Sequence, residues 1–96
     1  MTLEGQHELL SFVTPTYNAA STVTDAITSV LGQELDRPFE IVVVDDASTD
    51  DTGAVLRSLA KAHADVINVT GNDRNLGAGA TRNRAISRAK GDLIYM

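Results

Sequence analysis

The chain has 96 residues, of which 43% are hydrophobic and 22% charged, a composition typical of one small globular domain. Its 13 acidic and 8 basic residues leave a net charge of -5, which argues against a nucleic-acid-binding protein. The absence of cysteine excludes a disulfide framework and a thiolate zinc site. Four of the basic residues cluster at helical spacing and are predicted mostly to form a solvated helix face: Arg82, Arg84, Arg88 and Lys90.

Residues 1–8 are polar and acidic and lack the basic start and apolar core of a signal peptide, so we predict a flexible tail. The longest purely aliphatic run, Ile41 to Val44, is far shorter than the ~20 residues that span a bilayer. We therefore expect a soluble, cytoplasmic chain that makes no membrane contact through this segment.

Apolar runs of strand length alternate along the chain with segments that have the periodicity of amphipathic helices. The predicted strands are 9–14, 39–44, 66–70 and 92–96, and the predicted helices are 23–31, 50–63 and 77–89. This βαβαβαβ order predicts an α/β fold, a three-layer Rossmann-like parallel sheet with helices on its faces. If the strand order is 3-2-1-4, a ligand crevice should open between the first and fourth strands.

Local signals mark where these elements begin and end. Pro15 has no N–H to donate to a ladder and is predicted to close the first strand. Ser48 with Asp51 three residues later resembles a capping box at the start of the second helix. Gly91 stands where a C-terminal cap of the third helix belongs. That helix is expected to bury Ala78 together with its later apolar residues.

The segment from Glu40 to Asp50 places two carboxylates directly after an uninterrupted apolar run. Ile41 to Val44 shows no polar alternation, as in a parallel strand that is covered on both faces. Asp45 and Asp46 then fall at the carboxyl end of this strand, where open α/β sheets bind their ligands. They could accept hydrogen bonds from a ligand, coordinate a metal ion, or only stabilise the start of the second helix.

Common nucleotide-binding motifs are missing from this scaffold. The first strand-helix turn contains no glycine, which excludes the G-x-G-x-x-G fingerprint of dinucleotide-binding proteins, and there is no P-loop. Gly77 and Gly79 open the third helix, either to bring N–H groups to an anion or to allow close contact between helix and sheet. A receiver domain would carry its acidic pair after the first strand, whereas here the pair follows the second.

Short motifs occur in the order and spacing of one protein family. They occupy residues 11–18, 29–33, 40–50, 75–77, 80–83 and 89–94. From about Leu10 onward the chain resembles the amino-terminal half of family 2 glycosyltransferases, which have the GT-A fold. The resemblance implies that residues 9–96 form a nucleotide-sugar-binding half-domain, which ends just before an expected Asp-x-Asp motif.

The resemblance also implies a nucleotide site made of Pro15, Tyr17, Asp45, Asp46, Arg82 and Asn83. Tyr17 would stack on the base, and Asp46 would accept the uracil N3–H of a UDP-sugar. Asp45 would meet the ribose or only order its loop. The helix that carries Arg82 and Asn83 would approach the nucleotide, with the cation favouring the phosphates.

The family holds a divalent cation with the later Asp-x-Asp, and its second half contains the carboxylate that acts as general base. Mn²⁺ or Mg²⁺ is thus expected in a full-length protein. The 96 residues themselves are expected to bind no metal, to contain no catalytic residue and to be inactive alone.

The resemblance favours an enzyme that transfers a sugar from a UDP-sugar donor to an acceptor hydroxyl. The alternative is a stand-alone nucleotide-binding or interaction module without catalysis. Such a module could use the final strand, because Leu93, Ile94 and Tyr95 would lie on an unprotected edge that can recruit a second copy. The expected partners are therefore a UDP-sugar and, through this edge, a homo-oligomer.

Overall fold

A computed structural model describes residues 9–96, so the tail predicted at residues 1–8 lies outside the described residues. The elements follow the predicted βαβαβαβ order. The strands are β1 (Leu10–Thr16), β2 (Phe39–Asp45), β3 (Ile67–Gly71) and β4 (Asp92–Tyr95), and the helices are α1 (Val23–Leu31), α2 (Thr52–Ala62) and α3 (Ala78–Arg88). Over residues 9–96, no helix is both long and apolar enough to cross a membrane.

The four strands form one parallel sheet in the order β3-β2-β1-β4. This confirms the predicted parallel α/β fold and its strand order. β1 pairs with β2 along its whole length, from Leu10 beside Phe39 to Thr16 beside Asp45. β4 pairs only with the segment of β1 that ends at Val13. Within the described residues, the last three residues of β1 pair with β2 alone.

β1 continues through Pro15, so the prediction that this proline closes the strand was wrong. Pro15 lies opposite Val44 of β2 in the strand register. Alternate residues of a parallel strand bond to opposite neighbours, and the Val13 carbonyl accepts from Met96 N at 3.1 Å on the β4 side. The missing N–H of Pro15 therefore also faces the β4 side, so it does not interrupt the ladder between β1 and β2.

The apolar run of β2 is buried on both faces, as its sequence predicted. The core on the α1–α2 face contains Phe12, Val23, Ile27, Val30, Ile41, Val43, Leu56 and Ile67. The smaller core on the α3 face contains Val13, Val42, Val44 and Ala85. Successive side chains of a strand alternate between its faces, so Asp45 and Asp46 continue this alternation and leave the sheet on opposite sides.

The start of α2 is stabilised by a different residue from the one predicted. Ser48 does not cap this helix, because its N–H and its hydroxyl both donate to the Asp45 carboxylate. The Asp51 side chain makes no cap hydrogen bond either, so the predicted capping box was wrong. Instead, the Asp50 carboxylate accepts from the N–H and the hydroxyl of Thr52, the first residue of α2.

Both ends of α3 also differ from the sequence prediction. The helix ends in extended backbone at Ala89, and Gly91 makes a close approach to Leu9, just before β1, instead of capping the helix. Ala78 is exposed and not buried, because it lies at the rim of the crevice rather than over the sheet. A Cβ at Gly77 or Gly79 would meet nothing within 4 Å, so neither glycine serves close contact between helix and sheet. Gly77 instead adopts a φ of 95°, a backbone conformation that favours glycine.

Candidate functional site

The two adjacent carboxylates at the end of β2 have different surroundings. Asp45 faces the α1–α2 side, where its Oδ1 accepts from Thr16 Oγ1 and from Ser48 Oγ, each at 2.7 Å. Its Oδ2 accepts from Ser48 N at 3.0 Å. Asp45 therefore orders the loop after β2 and ties it to the end of β1, and it does not line the cavity described below.

Asp46 is only 3% exposed and binds donors from the loop that precedes α3. Its Oδ1 accepts from Leu76 N at 2.7 Å and from Asn72 Nδ2 at 2.9 Å. Its Oδ2 accepts from Gly77 N at 2.9 Å, and its backbone carbonyl accepts from Asn75 Nδ2 at 3.2 Å. Since a carboxylate has about four acceptor positions, these three donors leave one position, for which the Thr81 hydroxyl competes with a ligand.

The hydrogen bonds to Asp46 decide its charge. Burial by itself would raise the pKa of this carboxyl, because the charged form loses solvation. Two backbone N–H groups and the Asn72 amide, with a smaller contribution from the Thr81 hydroxyl, outweigh that effect and hold the pKa below its ordinary value of 3.8. Asp46 is therefore an anion at neutral pH and acts only as an acceptor. Because a hydroxyl can rotate, the Thr81 contact can give way to a ligand donor.

A cavity of about 300 Å³ opens beside Asp46, between the carboxyl ends of β1 and β2 and the start of α3. It is lined by Pro15, Thr16, Tyr17, Asp46, Asn75, Gly77, Ala78 and Thr81. A second cavity of about 250 Å³ lies on the β4 side of the same β1 end and reaches Met96. The sequence predicted a crevice between β1 and β4, flanked by residues 14–18 and by the acidic pair. The cavity that contains Asp46 is indeed flanked by residues 15–17, but it lies on the β2 and α3 side.

The structure brings together three of the six predicted site residues, since Pro15, Tyr17 and Asp46 line the same cavity. Tyr17 is 49% exposed, so one part of its ring is available to a ligand. Arg82 and Asn83 are exposed on α3 and do not line the cavity. Arg82 lies four residues after Ala78, which does line it, so the arginine occupies the next turn on the same side of the helix.

Asn18 joins the two loops that carry Tyr17 and the acidic pair. It adopts a φ of 49°, in the left-handed region that asparagine tolerates better than most residues. Its N–H donates to Ser48 Oγ at 2.9 Å, and its Oδ1 accepts from Thr49 N at 2.8 Å and from Asp50 N at 3.3 Å. The loop after β1 is therefore held against the loop after β2.

Several residues of the site were not among those predicted. Asn75 and Gly77 belong to a motif that supported the family resemblance, and their sequence pattern could have indicated them. The sequence pattern places Thr16 just after a strand and Thr81 in a helix, and it gives no further signal of a role in the site. Asn72 contacts Asp46 from a loop of turn-forming residues, and no local pattern distinguishes it from its neighbours.

The described residues do not fit a metal site. Within residues 9–96, no three His, Asp or Glu side chains come together as ligands for a metal ion. Asp45 and Asp46 are adjacent in sequence, but they face opposite sides of the sheet and each already binds protein donors. We therefore assign no divalent cation to these residues.

The parallel sheet, its strand order and the crevice at the carboxyl ends of its strands are those of the GT-A fold. The crystal structure of Staphylococcus aureus TarS 1–349 superimposes with a TM-score of 0.75 and 34% sequence identity, covering 91% of this chain and 26% of that one. The sequence matches Glycosyl transferase family 2 over residues 11–96, and the chain belongs to this family. The resemblance inferred from the motifs is thereby confirmed.

Proteins that are similar to this chain act on or bind different molecules. The poly(ribitol-phosphate) beta-glucosyltransferase of Bacillus spizizenii is 34% identical over 86 residues, which cover 88% of this chain and 14% of that protein. The mannosyltransferase PcManGT of Pyrobaculum calidifontis, solved in complex with GDP-Man and Mn²⁺, superimposes with a TM-score of 0.73 and 31% sequence identity. The match covers 86% of this chain and 24% of the PcManGT chain. The chain spans no more than a third of the length of such relatives.

Proposed function

We propose that this chain is the donor-binding region of a glycosyltransferase that transfers a sugar from a UDP-sugar to an acceptor hydroxyl. The observation that carries this proposal is a buried, anionic acceptor, Asp46, in a cavity that Pro15 and Tyr17 also line. A site of this kind suits a flat heterocycle that offers an N–H donor. Its position at the carboxyl ends of β1 and β2 is where α/β sheets bind nucleotides.

The acceptor chemistry of Asp46 selects among the bases. Neutral cytosine and adenine offer an exocyclic N–H on their Watson–Crick edge, but the ring-nitrogen acceptor beside it would face the carboxylate and be repelled. Uracil presents the single donor N3–H, and guanine presents two adjacent donors, N1–H and an exocyclic N–H. A guanine edge pairs best with both oxygens of a carboxylate, but Oδ1 of Asp46 already accepts two protein donors. The single acceptor position that remains once the Thr81 hydroxyl turns away therefore favours uracil.

Three more of the predicted residues have supporting positions in this proposal. Tyr17 would stack on the base, because its exposed ring lies at the cavity wall. Arg82 would reach back from its turn of α3 towards the phosphates, since helix side chains lean towards the helix N-terminus. Asp45 would act on the ribose only indirectly, by ordering the loop after β2.

A solved relative supports the choice of donor. TarS 1–349 in complex with UDP-GlcNAc has a TM-score of 0.75 and 33% identity, covering 91% of this chain and 25% of that one. The PcManGT complex with GDP-Man argues for a test of both bases. A divalent cation and the catalytic base, if the complete protein uses them, would come from outside the described residues, so we propose that the 96 residues bind a donor without transferring its sugar.

Calorimetric titration with UDP, GDP, CDP and ADP tests the proposal. We expect UDP to bind most tightly, and Asp46→Asn to weaken UDP about tenfold or more, because the amide presents N–H groups where the carboxylate only accepts. Asp25→Asn on the exposed side of α1 is the matched control and should change nothing. Equal affinities for UDP and ADP, or an unchanged affinity in Asp46→Asn, would contradict the proposed base site.

A further inference from the structure

Behind the cavity, Asn72 connects Asp46 to a charged residue of α3. Asn72 is 8% exposed, and it follows β3 directly. Its Nδ2 donates to Asp46 Oδ1 at 2.9 Å and to Thr81 Oγ1 at 3.1 Å. Its backbone N–H donates to the Asp45 carbonyl at 2.8 Å. The asparagine therefore meets both acidic residues, but it does not line the cavity itself.

The other side of the Asn72 amide is held by Arg84. The Nη1 of Arg84 donates to Asn72 Oδ1 and also, at 3.3 Å, to the carbonyl of Gly71. A guanidinium can only donate, so it binds the oxygen end of the amide and never the NH₂ end. Arg84 thus determines which end of Asn72 points towards Asp46.

We propose that Arg84 and Asn72 are positioning residues that hold the Asp46 carboxylate in its base-binding orientation. Neither residue lines the cavity, so they would affect the nucleotide through Asp46 without contacting the nucleotide itself. The effect of these two residues on nucleotide binding rests on the proposed function. Their effect on the orientation of Asp46 does not depend on any ligand.

The physical reason lies in the direction of the amide. If the Asn72 amide turned over, its oxygen would face the Asp46 carboxylate, and two acceptors would oppose each other in a buried place. Asp46 would then lose one of the two donors on Oδ1, and its carboxylate could rotate away from Leu76 N and Gly77 N. The Arg84 charge prevents this, because the turned amide would bring NH₂ against a guanidinium.

Other charged groups near Asp46 do not replace this contact. Asp45 is next to it in sequence, but its carboxylate is turned to Thr16 and Ser48 on the opposite face of the sheet. Arg84 therefore reaches Asp46 only through the neutral amide of Asn72. The arrangement orients the carboxylate without pairing its charge directly, which leaves that charge available to a ligand.

The test compares Arg84→Met with Arg88→Met, a neutral replacement of similar length one turn later on the exposed part of the same helix. The first measurement is the NMR titration of the Asp46 carboxyl in the ligand-free chain. We expect its pKa to rise towards the ordinary value in Arg84→Met and to stay unchanged in Arg88→Met. Asn72→Leu should raise it as well, and Arg84→Lys should restore part of the loss, because an ammonium can still donate to Asn72.

The second measurement is the affinity for UDP, which we expect to fall about threefold to tenfold in Arg84→Met, the effect of one hydrogen bond. An unchanged Asp46 pKa in both Arg84→Met and Asn72→Leu would overturn the inference, whatever the nucleotide affinities. If the pKa rises in Arg84→Met but the original chain binds no UDP, the positioning role stands and the proposed function fails. The two ideas are therefore tested separately.

Discussion

Gly91→Ala should destabilise the fold by far more than an ordinary surface change, because this glycine lies against the backbone of the chain segment before β1. A Cβ at position 91 would lie 2.3 Å from the Leu9 carbonyl oxygen and 2.7 Å from its carbonyl carbon. Backbone atoms cannot turn aside as a flexible side chain can. To reach an ordinary contact distance of 3.4 Å, the two segments would have to separate by about 1 Å.

That separation would affect the hydrogen bonds that fasten β4 to the sheet. Gly91 N donates to Ser11 Oγ at 2.8 Å, and Asp92 N donates to the Leu9 carbonyl at 2.9 Å. Weakening both costs about 1 to 2 kcal/mol, and forcing an extra methyl group into a packed contact costs about 1 to 3 kcal/mol. We therefore expect Gly91→Ala to lower the free energy of unfolding by about 2 to 5 kcal/mol.

Urea denaturation followed by circular dichroism measures this loss, which should lower the midpoint by roughly 1 to 3 M. Gly79→Ala is the matched control, because the same substitution inside α3 meets nothing within 4 Å. There it should stabilise the chain by about 0.5 to 1 kcal/mol, through the better helix propensity of alanine. If the two alanine variants had equal midpoints, the close approach of Gly91 to Leu9 would not exist as described.

Two further predictions concern the loops around the cavity. Asn18→Gly keeps the left-handed backbone but removes the acceptor for Thr49 N and Asp50 N, so it should weaken UDP binding by about threefold to tenfold and lower the free energy of unfolding by about 1 kcal/mol. Asn18→Asp keeps an acceptor oxygen and should retain both the UDP affinity and the stability. Calorimetry and urea denaturation measure the two effects, and equal losses in the two variants would show that the acceptor is irrelevant. The second prediction is a loss of stability in acid. The Thr52 donors lower the pKa of Asp50, and the donors to Asp46 outweigh the effect of its burial and lower the pKa of Asp46 too. The stability that the two carboxylates contribute is therefore fully present above about pH 4 and is lost as the pH falls below 3.8 through the lowered pKa values. Urea midpoints at pH 7, 5 and 3 check this, and a midpoint that already falls between pH 7 and 5 would point to other groups.

The sequence alone could have predicted that the alternation of side chains along β2 continues from Val44 to the two aspartates that follow it. Val42 and Val44 face α3, so the same period of two places Asp46 on the α3 face and Asp45 on the other. The different roles of the two carboxylates follow from this parity. The sequence interpretation treated them as a pair, and the structure shows that they belong to different networks.

Signals at the ends of elements were less reliable than the elements themselves. The predicted capping box was wrong because Ser48 donates its hydrogen bonds to the Asp45 carboxylate and does not cap α2. The predicted end of β1 was wrong because the missing N–H of Pro15 faces away from β2, so the ladder with β2 continues past it to Thr16. In both cases the deciding contact is made with another segment of the chain.

The sequence by itself determined the order of the elements, the burial of β2 and the placement of an acidic pair at the rim of the sheet. These features follow from periodicity and from where an apolar run stops, which are local properties. Only the tertiary structure decided that Asn72 and the start of α3 would surround Asp46, and that Gly91 would lie against Leu9. Such contacts depend on how separately formed elements pack, and donors that meet across a crevice carry no shared local pattern.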